Sequence, residues 1–371
     1  MSATRSRAAS IATSVGRAVI PVLLALVAGG LIILAMGKDP IAFYAKIITY
    51  GLLGDNWMRS IVLMAPLLLI AVGLIVVFRG QLWNLGYGGQ FLLGAVVVAG
   101  VGPALLETLP WALAVLVLLA GAAAIGAAWT IIPALLKARY GTNEIITSLV
   151  MSFIGIGVVN LLIKGPMKDE TQPIPQTNVI PDAWMLPFIG GTEIHVGVLL
   201  ALVIAVVFHF LMNRTSFGLR MSIFGASPKT AQHVGISSTK MIIVLFLISG
   251  ALIGLAGGVA ILGQESYQRA NWNPHYGDAV MPFVFLARLN SLAVIPLVGF
   301  YAVLATGGIL AAQQTGLNVD FLLVIVGLIL VFMTITEFIS SRREAGQSYL
   351  PAGLKRSASG LVGTLAGRNA R

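Results

Sequence analysis

Long runs without a charged residue constrain this chain more than any other feature. Between Arg17 and Lys38, and again between Arg59 and Arg79, the chain is mostly aliphatic and carries no charge. A helix of about 20 apolar residues spans the hydrocarbon core of a bilayer. Only 10% of the 371 residues are charged and 58% are hydrophobic, whereas a soluble domain carries about 25% charged residues. The sequence therefore predicts an all-α integral membrane protein.

The charge-free segments predict about ten membrane-spanning helices. They cover residues 18–37, 60–78, 91–106, 108–136, 145–163, 196–213, 241–264, 279–287, 291–312 and 321–336. The third is expected to begin near Phe91, because the residues before it are polar and rich in glycine. The eighth reaches span length only if polar residues near Tyr276 are included. The first is too long for the apolar region of a cleavable signal peptide, about 7–15 residues, so we expect it to be retained.

The distribution of charge predicts the orientation of the chain. With ten spans and a cytoplasmic N-terminus, 17 of the 23 Lys and Arg residues and 3 of the 13 Asp and Glu residues face the cytoplasm. The inner side then has a net charge of +14 and the outer side −4, within a total of +10. Membrane proteins keep basic loops inside, so both termini are expected in the cytoplasm. This orientation explains the positive charge without a nucleic-acid partner.

Two polar segments are too long for simple connections. Residues 164–195 contain five prolines and are predicted on the outer side, as an ordered cap or docking surface or as a flexible loop. Residues 213–240 are predicted inside. There Ser227 is a candidate N-cap, Pro228 follows at the first helical position, and Gly235 is a candidate C-cap. A helix of about two turns is marginal alone in water, so we expect it to pack on the membrane domain or in a groove of a partner.

The chain divides into a transmembrane domain, residues 1–340, and a basic tail, residues 341–371. The tail is rich in Gly, Ser and Ala and is expected to be disordered in the cytoplasm and attracted to anionic lipid. The chain contains no cysteine, which excludes disulfides, thiolate metal sites and cysteine nucleophiles.

The predicted span cores contain no Asp, Glu, Lys or Arg, which disfavours an ion-coupled transporter or proton pump. A sodium site built from backbone carbonyls stays open. His209 is the one titratable side chain in a predicted span and lies close to Arg214, where an interfacial histidine is the simpler interpretation. The sequence has no metalloprotease, nucleophile-elbow or P-loop motif, so we expect a non-catalytic subunit.

Neutral polar residues are the candidates for lining a translocation pathway. The richest cluster follows the second span, and single asparagines elsewhere are weaker candidates, because they also serve to join helices. The candidates are Gln81, Trp83, Asn84, Tyr87, Gln90, Asn143, Asn160 and Asn290. Polar, glycine-rich backbone at membrane depth is tolerated where it is buried in protein or lines a cavity. The alternative for the cluster is an ordinary cytoplasmic turn.

Several sequence blocks resemble the permease subunits of nucleoside and simple-sugar ABC importers, the branched-chain amino acid/ribose-type permease family. FRGQLWNLGYGGQFLLGA is similar to the family pattern FRxGLFNIGxEGQxLLGA, although Trp83 replaces Phe and the family's Glu is missing. Further similar blocks follow in the expected order between residues 59 and 340. The last keeps Arg288 and Asn290 but has Ser291 in place of Pro.

The resemblance implies a type II-like importer permease fold and several partners. These are a cytoplasmic ABC ATPase that holds ATP and Mg²⁺, a second permease subunit, and an external substrate-binding lipoprotein docked on the proline-rich segment. The resemblance implies that the two permease subunits form a heterodimer. The short helix in residues 213–240 would then couple to the ATPase. The residues implied in that coupling are Arg220, Ser227, Lys229, Ala231 and Gly235. No cofactor is expected on this chain.

The leading functional hypothesis is translocation of a neutral polar solute, with a nucleoside favoured. Trp83 and Tyr87 are candidates for stacking on a base, although aromatic residues near a membrane interface also serve as anchors. A simple-sugar permease and a self-sufficient secondary transporter or facilitator are the alternatives. A membrane-embedded enzyme would need catalytic groups that the sequence lacks.

Overall fold

The computed structural model describes residues 2–344, which form α-helices joined by turns and irregular segments. The first seven helices are α1 Ser2–Ala35, α2 Pro40–Gly51, α3 Asn56–Arg79, α4 Tyr87–Thr108, α5 Trp111–Trp129, α6 Ile131–Tyr140 and α7 Glu144–Lys164. The remaining helices are α8 Val196–Arg214, α9 Ser216–Ala226, α10 Pro228–His233, α11 Ser238–Ala260, α12 Tyr276–Leu286, α13 Val294–Thr315 and α14 Phe321–Glu344. The all-α prediction is confirmed.

Within the described residues, eight helices are long and apolar enough to cross a membrane. They match the predicted second to seventh, ninth and tenth spans. The predicted first and eighth spans correspond to shorter apolar helices, Val19–Ala35 and Tyr276–Leu286. The count of ten and the cytoplasmic position of both termini therefore stay predictions.

Two boundaries differ from the sequence prediction. The third span begins at Tyr87 rather than near Phe91, because its polar first turn is enclosed by protein, where polarity does not oppose a membrane position. Helix α14 continues to Glu344, into the predicted tail, and residues 345–371 lie outside the described residues.

Helix α2 is not foreseen by the span pattern, because its 12 residues are too few to cross a bilayer. Asp39 caps its N-terminus by accepting from the backbone N–H groups of Ile41 and Ala42. The helix packs along α13, where Gly307 lies directly against the Ile47 carbonyl oxygen.

The chain separates into two compact units. One contains α1 through Ile32 and α14 from Val324, and the other contains residues 33–323. The functional features below all belong to the second unit.

Helices α3 and α11 form the centre of the second unit. Most of the apolar residues of α3 are buried in the protein. Helix α11 packs against α3, α4 and α5. A stripe of small residues on α11 permits this close packing. Gly254 lies against the Ala122 carbonyl oxygen of α5, so that a Cβ at this position would overlap it. These contacts fix the position of α11, whose far end forms the candidate site.

The proline-rich segment between α7 and α8 is held to the residues that follow α11. The backbone N–H of Thr177 donates to the Gln268 carbonyl at 3.0 Å, and that of Ile180 donates to the Ser266 carbonyl at 2.9 Å. The N–H of Leu186 donates to the Leu262 carbonyl at 2.8 Å. The segment therefore has a defined path over this end of the bundle.

The short helix expected after Ser227 is present as α10. The Ser227 hydroxyl accepts from the Thr230 N–H at 3.2 Å, and Pro228 occupies the first helical position. At the other end, the N–H groups of Gly235 and Ile236 donate to the carbonyls of Gln232 and Ala231, which is the Schellman arrangement. Gly235 has φ +78°, which a glycine adopts without strain. The helix has six residues, slightly fewer than predicted.

Candidate functional site

A cavity of about 970 Å³ opens at the C-terminal end of α11. We call it the Glu265 cavity. Its wall comes from α3, the end of α11, the loop before α12, α13 and the start of α14. The lining residues that matter below are Arg59, Glu193, Gln264, Glu265, Trp272, Tyr276, Tyr301 and Thr306. The volume lies in the range of small-molecule sites, roughly 300–1,000 Å³.

A π-helical turn forms the centre of the cavity wall. At Ile261–Glu265, α11 changes from α-helical to π-helical hydrogen bonding and then ends at Ser266. A π-turn widens the helix and shifts its side chains, and such turns occur frequently at functional sites. Here the turn places Gln264 and Glu265 in the wall of the cavity.

Residues 266–275 form a loop that contributes to the cavity wall, and three of its residues have positive φ. Ser266, Asn271 and His275 have φ of 56°, 62° and 54°. Left-handed backbone at residues other than glycine persists where surrounding contacts impose it, and it is concentrated at functional sites. One such contact is the 2.6 Å hydrogen bond from the Asn271 N–H to the Asn160 side-chain oxygen. Asn160, predicted for the pathway, thus supports the loop that carries Trp272.

Aromatic side chains supply most of the apolar surface of the cavity. Trp272 and Tyr276 lie 5.9 Å and 5.5 Å from the ring of Phe91 on α4, measured between ring centroids. Tyr301, on α13, is 5% exposed and packs against Phe283. These rings are held by their neighbours, which makes them suitable for packing against a flat or ring-shaped solute.

Polar groups in this wall lack protein partners. Gln264 Oε1 is buried without a hydrogen-bond partner among the described residues. Glu265 is half-buried, and its carboxylate interacts electrostatically with Arg269 and Tyr276. Unpaired polar groups at a buried position cost about 1–3 kcal/mol each, so a wall of this kind is suited to a ligand that supplies donors.

The buried side chain of His195 packs against the π-turn. Its side chain is 1% exposed and packs on Gly263, where a Cβ would overlap the imidazole ring. The Nδ1 atom accepts from the Gly197 N–H at 3.1 Å. Because burial disfavours the charged form, it lowers the pKa of His195 to about 4. The ring is therefore neutral at pH 7.

The polar cluster after α3 has a different environment. We call residues 80–90 the Asn84 loop. Asn84 and Gln90 are fully buried and exchange two hydrogen bonds, at 3.0 Å and 2.9 Å. Asn84 Nδ2 also donates to Ser249 Oγ at 3.0 Å, twelve residues into α11. The loop thus lies at mid-helix depth, buried in protein, and is not a surface turn.

The other residues predicted in this cluster also lie away from the cavity wall. Gln81 is exposed with φ 55°, and Trp83 packs against Phe78 and Phe285. Tyr87 lies nearer, since its hydroxyl donates to Asp278 at 2.6 Å, two residues beyond Tyr276. None of the predicted pathway residues lines the Glu265 cavity, and their role in a pathway stays a prediction.

Asn143 and Asn290 cap turns. Asn143 Oδ1 accepts from the Ile145 N–H at 2.9 Å at the start of α7. Asn290 Oδ1 accepts from the Leu292 N–H at 2.9 Å before α13. Both positions have the local role that Asn side chains commonly take beside a helix N-terminus.

The segment around α10 forms a second, smaller cavity of about 450 Å³. Of the predicted coupling residues, Arg220 and Gly235 line it, together with Lys240. Lys229 is exposed on α10, whereas Ala231 is buried and fixes the helix to its surroundings. The exposed face is basic, which suits contact with an acidic surface.

Arg79 joins this segment to the helix bundle. At the end of α3, its Nε donates to the Leu289 carbonyl and its Nη1 to Asn213 Oδ1, each at 2.9 Å. Gly225 of α9 lies directly against the Arg79 carbonyl oxygen. These contacts connect residues 213–226 directly to α3 and to the turn between α12 and α13.

Long apolar helices around a cavity of aromatic and polar residues, with a capped helix exposed at the other end, define a membrane transport subunit. The chain belongs to the permease component family of branched-chain amino acid transport systems, which matches residues 56–338. The matched region includes the Glu265 cavity, the Asn84 loop and α10, and the match confirms the resemblance found in the sequence.

Curated relatives support this assignment. The chain is 32% identical to a glucose ABC transporter permease of Haloferax volcanii, over 88% of this chain and 89% of that protein. It is 31% identical to one guanosine ABC transporter permease of Bacillus subtilis, over 67% of this chain and 72% of that protein. A second guanosine permease of the same organism is 29% identical, over 54% of this chain and 65% of that protein. The chain is thus an ABC transporter permease, a multi-pass protein of the plasma membrane.

Proposed function

We propose that this chain forms half of the translocation pathway of an ABC importer for nucleosides, and that the Glu265 cavity receives the solute from the outer side. The aromatic and polar wall of this cavity carries the proposal. Trp272, Tyr276 and Tyr301 offer faces for a base, and the polar groups beside them offer acceptors for its sugar. The guanosine permease relatives point to the same class of solute.

A simple sugar is the second candidate. The glucose permease relative matches the chain over a longer region than the guanosine permeases do. Aromatic faces beside a carboxylate also fit a pyranose ring, whose C–H face is apolar and whose rim carries hydroxyls.

The energy for transport comes from a separate ATPase, which holds ATP and Mg²⁺. It docks on the basic face around α10, and Arg79 passes its movement to the bundle. A short helix bound in a groove of a partner is a common recognition mode. A related but distinct permease completes the membrane dimer, as the pair of guanosine permeases in one organism suggests.

An external substrate-binding lipoprotein delivers the solute to the proline-rich segment. This segment is tied by backbone hydrogen bonds to residues 262–270, which include part of the cavity wall. A partner bound there lies beside the site to which it delivers its solute.

Uptake of labelled guanosine and labelled glucose by cells that lack their own importers tests the proposal. The complete set of subunits should restore guanosine uptake, and this chain alone should restore none. Restoration of glucose uptake instead would select the second candidate. Uptake by this chain alone would identify a facilitator and contradict the need for an ATPase.

A charge-reversed variant, Arg220→Glu, tests the docking face. It should abolish co-purification of the ATPase while the chain still inserts into the membrane, because a basic face then loses complementarity with its partner. His209→Gln, on α8, is a control that leaves the face intact. Unchanged co-purification of the Arg220→Glu chain would contradict the assignment.

A further inference from the structure

The wall of the Glu265 cavity contains a carboxylate with no hydrogen-bonded partner in the described part of the chain. The four ion pairs found there join other residues, among them Arg59 with Glu193 at 3.9 Å and Lys137 with Glu144 at 2.8 Å. Arg269 acts on Glu265 electrostatically, but its side chain is exposed and its guanidinium lies 5.6 Å above the Tyr267 ring. Both carboxylate oxygens of Glu265 are thus available as acceptors.

The π-turn provides a reason for this arrangement. In a regular α-helix, successive side chains are rotated by about 100°, so neighbouring residues point in different directions. The wider turn at Ile261–Glu265 brings two adjacent residues, Gln264 and Glu265, into one cavity wall. The proline-rich segment holds this turn in two ways: the Leu186 N–H donates to the Leu262 carbonyl, and His195 packs on Gly263.

The two side chains together present an acceptor pair. Gln264 Oε1 is buried and unpartnered, and a glutamate carboxylate is acceptor-only when it is ionised. A solute that satisfies them must carry adjacent donors. The aromatic rings of Tyr276 and Tyr301 lie in the same wall. They favour a solute that carries its donors beside an apolar face.

We propose that Glu265 binds the vicinal diol of a sugar ring, with its two carboxylate oxygens accepting from two neighbouring hydroxyls, while the ring or attached base packs on the aromatic wall. This inference rests on the proposed function and names the chemical group that the site selects. Ribonucleosides and hexoses both carry the diol. A solute without it leaves the carboxylate desolvated and unpaired, which accounts for selectivity.

The test measures binding in the cavity itself, so that selection by a separate binding protein does not enter. Because the chain has no cysteine, Thr306→Cys introduces one reactive thiol into the cavity wall. The permease complex with its ATPase, in lipid nanodiscs, is treated with a maleimide. Protection of the thiol is then measured against increasing guanosine and 2′,3′-dideoxyguanosine, and against glucose and 3-deoxyglucose.

The diol-containing solute should protect at a concentration at least about tenfold lower than its deoxy analogue, one charge-assisted hydrogen bond being worth about 1.5–3 kcal/mol. Adding Glu265→Gln should reduce that ratio to below about threefold. Glu170→Gln is the control, because Glu170 is an exposed glutamate that is paired with Lys168 and does not line the cavity. It should leave the ratio unchanged. Protection by guanosine would identify a nucleoside site, and protection by glucose would identify a sugar site.

An unchanged ratio in the Glu265→Gln complex would overturn the inference and leave the proposed function standing. Protection by neither guanosine nor glucose in the complex that retains Glu265 would overturn both. Glu265→Asp guards against a folding artefact, since it keeps the carboxylate. It should retain most of the diol preference, and an equal loss in Asp and Gln variants would show that the carboxylate does not bind the diol.

Discussion

The Asn84 loop and the Glu265 cavity are both polar regions within an apolar helix bundle, but their polar groups have different partners. In the Asn84 loop, Asn84 and Gln90 are hydrogen-bonded to each other, Asn84 also donates to Ser249, and none of the three is exposed. In the Glu265 cavity, Gln264 Oε1 and the Glu265 carboxylate have no hydrogen-bonded partner within the described residues. A satisfied polar network specifies a unique packing, whereas unsatisfied groups in a cavity are available to a ligand.

Polar groups that satisfy one another stabilise the fold, whereas the unpartnered groups of the Glu265 cavity are the candidates for contact with a solute. Polarity in the sequence does not by itself distinguish the two. Both regions are glycine-containing and polar, and the difference between them depends on what packs against them.

The largest effect is expected at the helix contact beside the Asn84 loop. Gly254→Ala places a Cβ against the Ala122 carbonyl oxygen, a backbone atom that cannot move aside, so we expect destabilisation of about 3 kcal/mol or failure to fold. Thermal unfolding of the purified chain measures it. Gly157→Ala on α7 is the matched control, because nothing lies within 4 Å of its Cβ position. Equal melting temperatures for the two variants would contradict the packing.

The network of the Asn84 loop gives the next largest effect. Asn84→Ala removes two hydrogen bonds from the Gln90 amide and one from Ser249, and leaves these groups buried. We expect a loss of about 2–3 kcal/mol in unfolding free energy, measured by chemical denaturation. Gln81→Ala, in the same loop but exposed, should change it by less than about 0.5 kcal/mol. A stable Asn84→Ala chain with altered solute binding would instead place Asn84 in the pathway.

A pH-dependent effect is expected on the cavity side. Unfolded His195 takes up a proton near its ordinary pKa of 6.5, but the buried ring has a pKa of about 4. Because the unfolded state then binds more protons, stability should fall as pH decreases from 6.5 to 4 and level off below that, by up to about 3 kcal/mol. Thermal unfolding between pH 7.5 and 4.5 measures it.

Removing the buried imidazole should remove this dependence. His195→Gln keeps a side-chain acceptor and should give a flatter profile, whereas His233→Gln, on exposed α10, should keep the original slope. Identical slopes in all three chains would show that His195 is not the titrating group.

The sequence was sufficient for the long helices because the bilayer requires uninterrupted apolar segments. It also predicted the caps of α10, where Ser227, Pro228 and Gly235 act through local backbone chemistry. These features depend on neighbours in the chain, which the sequence displays directly.

The cavity was not predictable in the same way. Arg59, Glu265 and Tyr301 are far apart in the chain and meet through the packing of α3, the end of α11 and α13. Glu265 directly follows the predicted seventh span, residues 241–264, and nothing in the sequence beside it indicates a π-turn. The helical start at Tyr87 was missed for a related reason, since its enclosure depends on α7 and α11.

Labelling of single cysteines in intact cells tests the distinction between the two regions most directly. The cysteine-free chain allows Thr306→Cys, in the cavity wall, to be compared with Ser249→Cys, beside Asn84 and fully buried. A membrane-impermeant maleimide should label Thr306→Cys, guanosine should protect it, and Ser249→Cys should stay unlabelled. Labelling and protection of Ser249→Cys, with an unreactive Thr306→Cys, would contradict the account and place the pathway in the Asn84 loop.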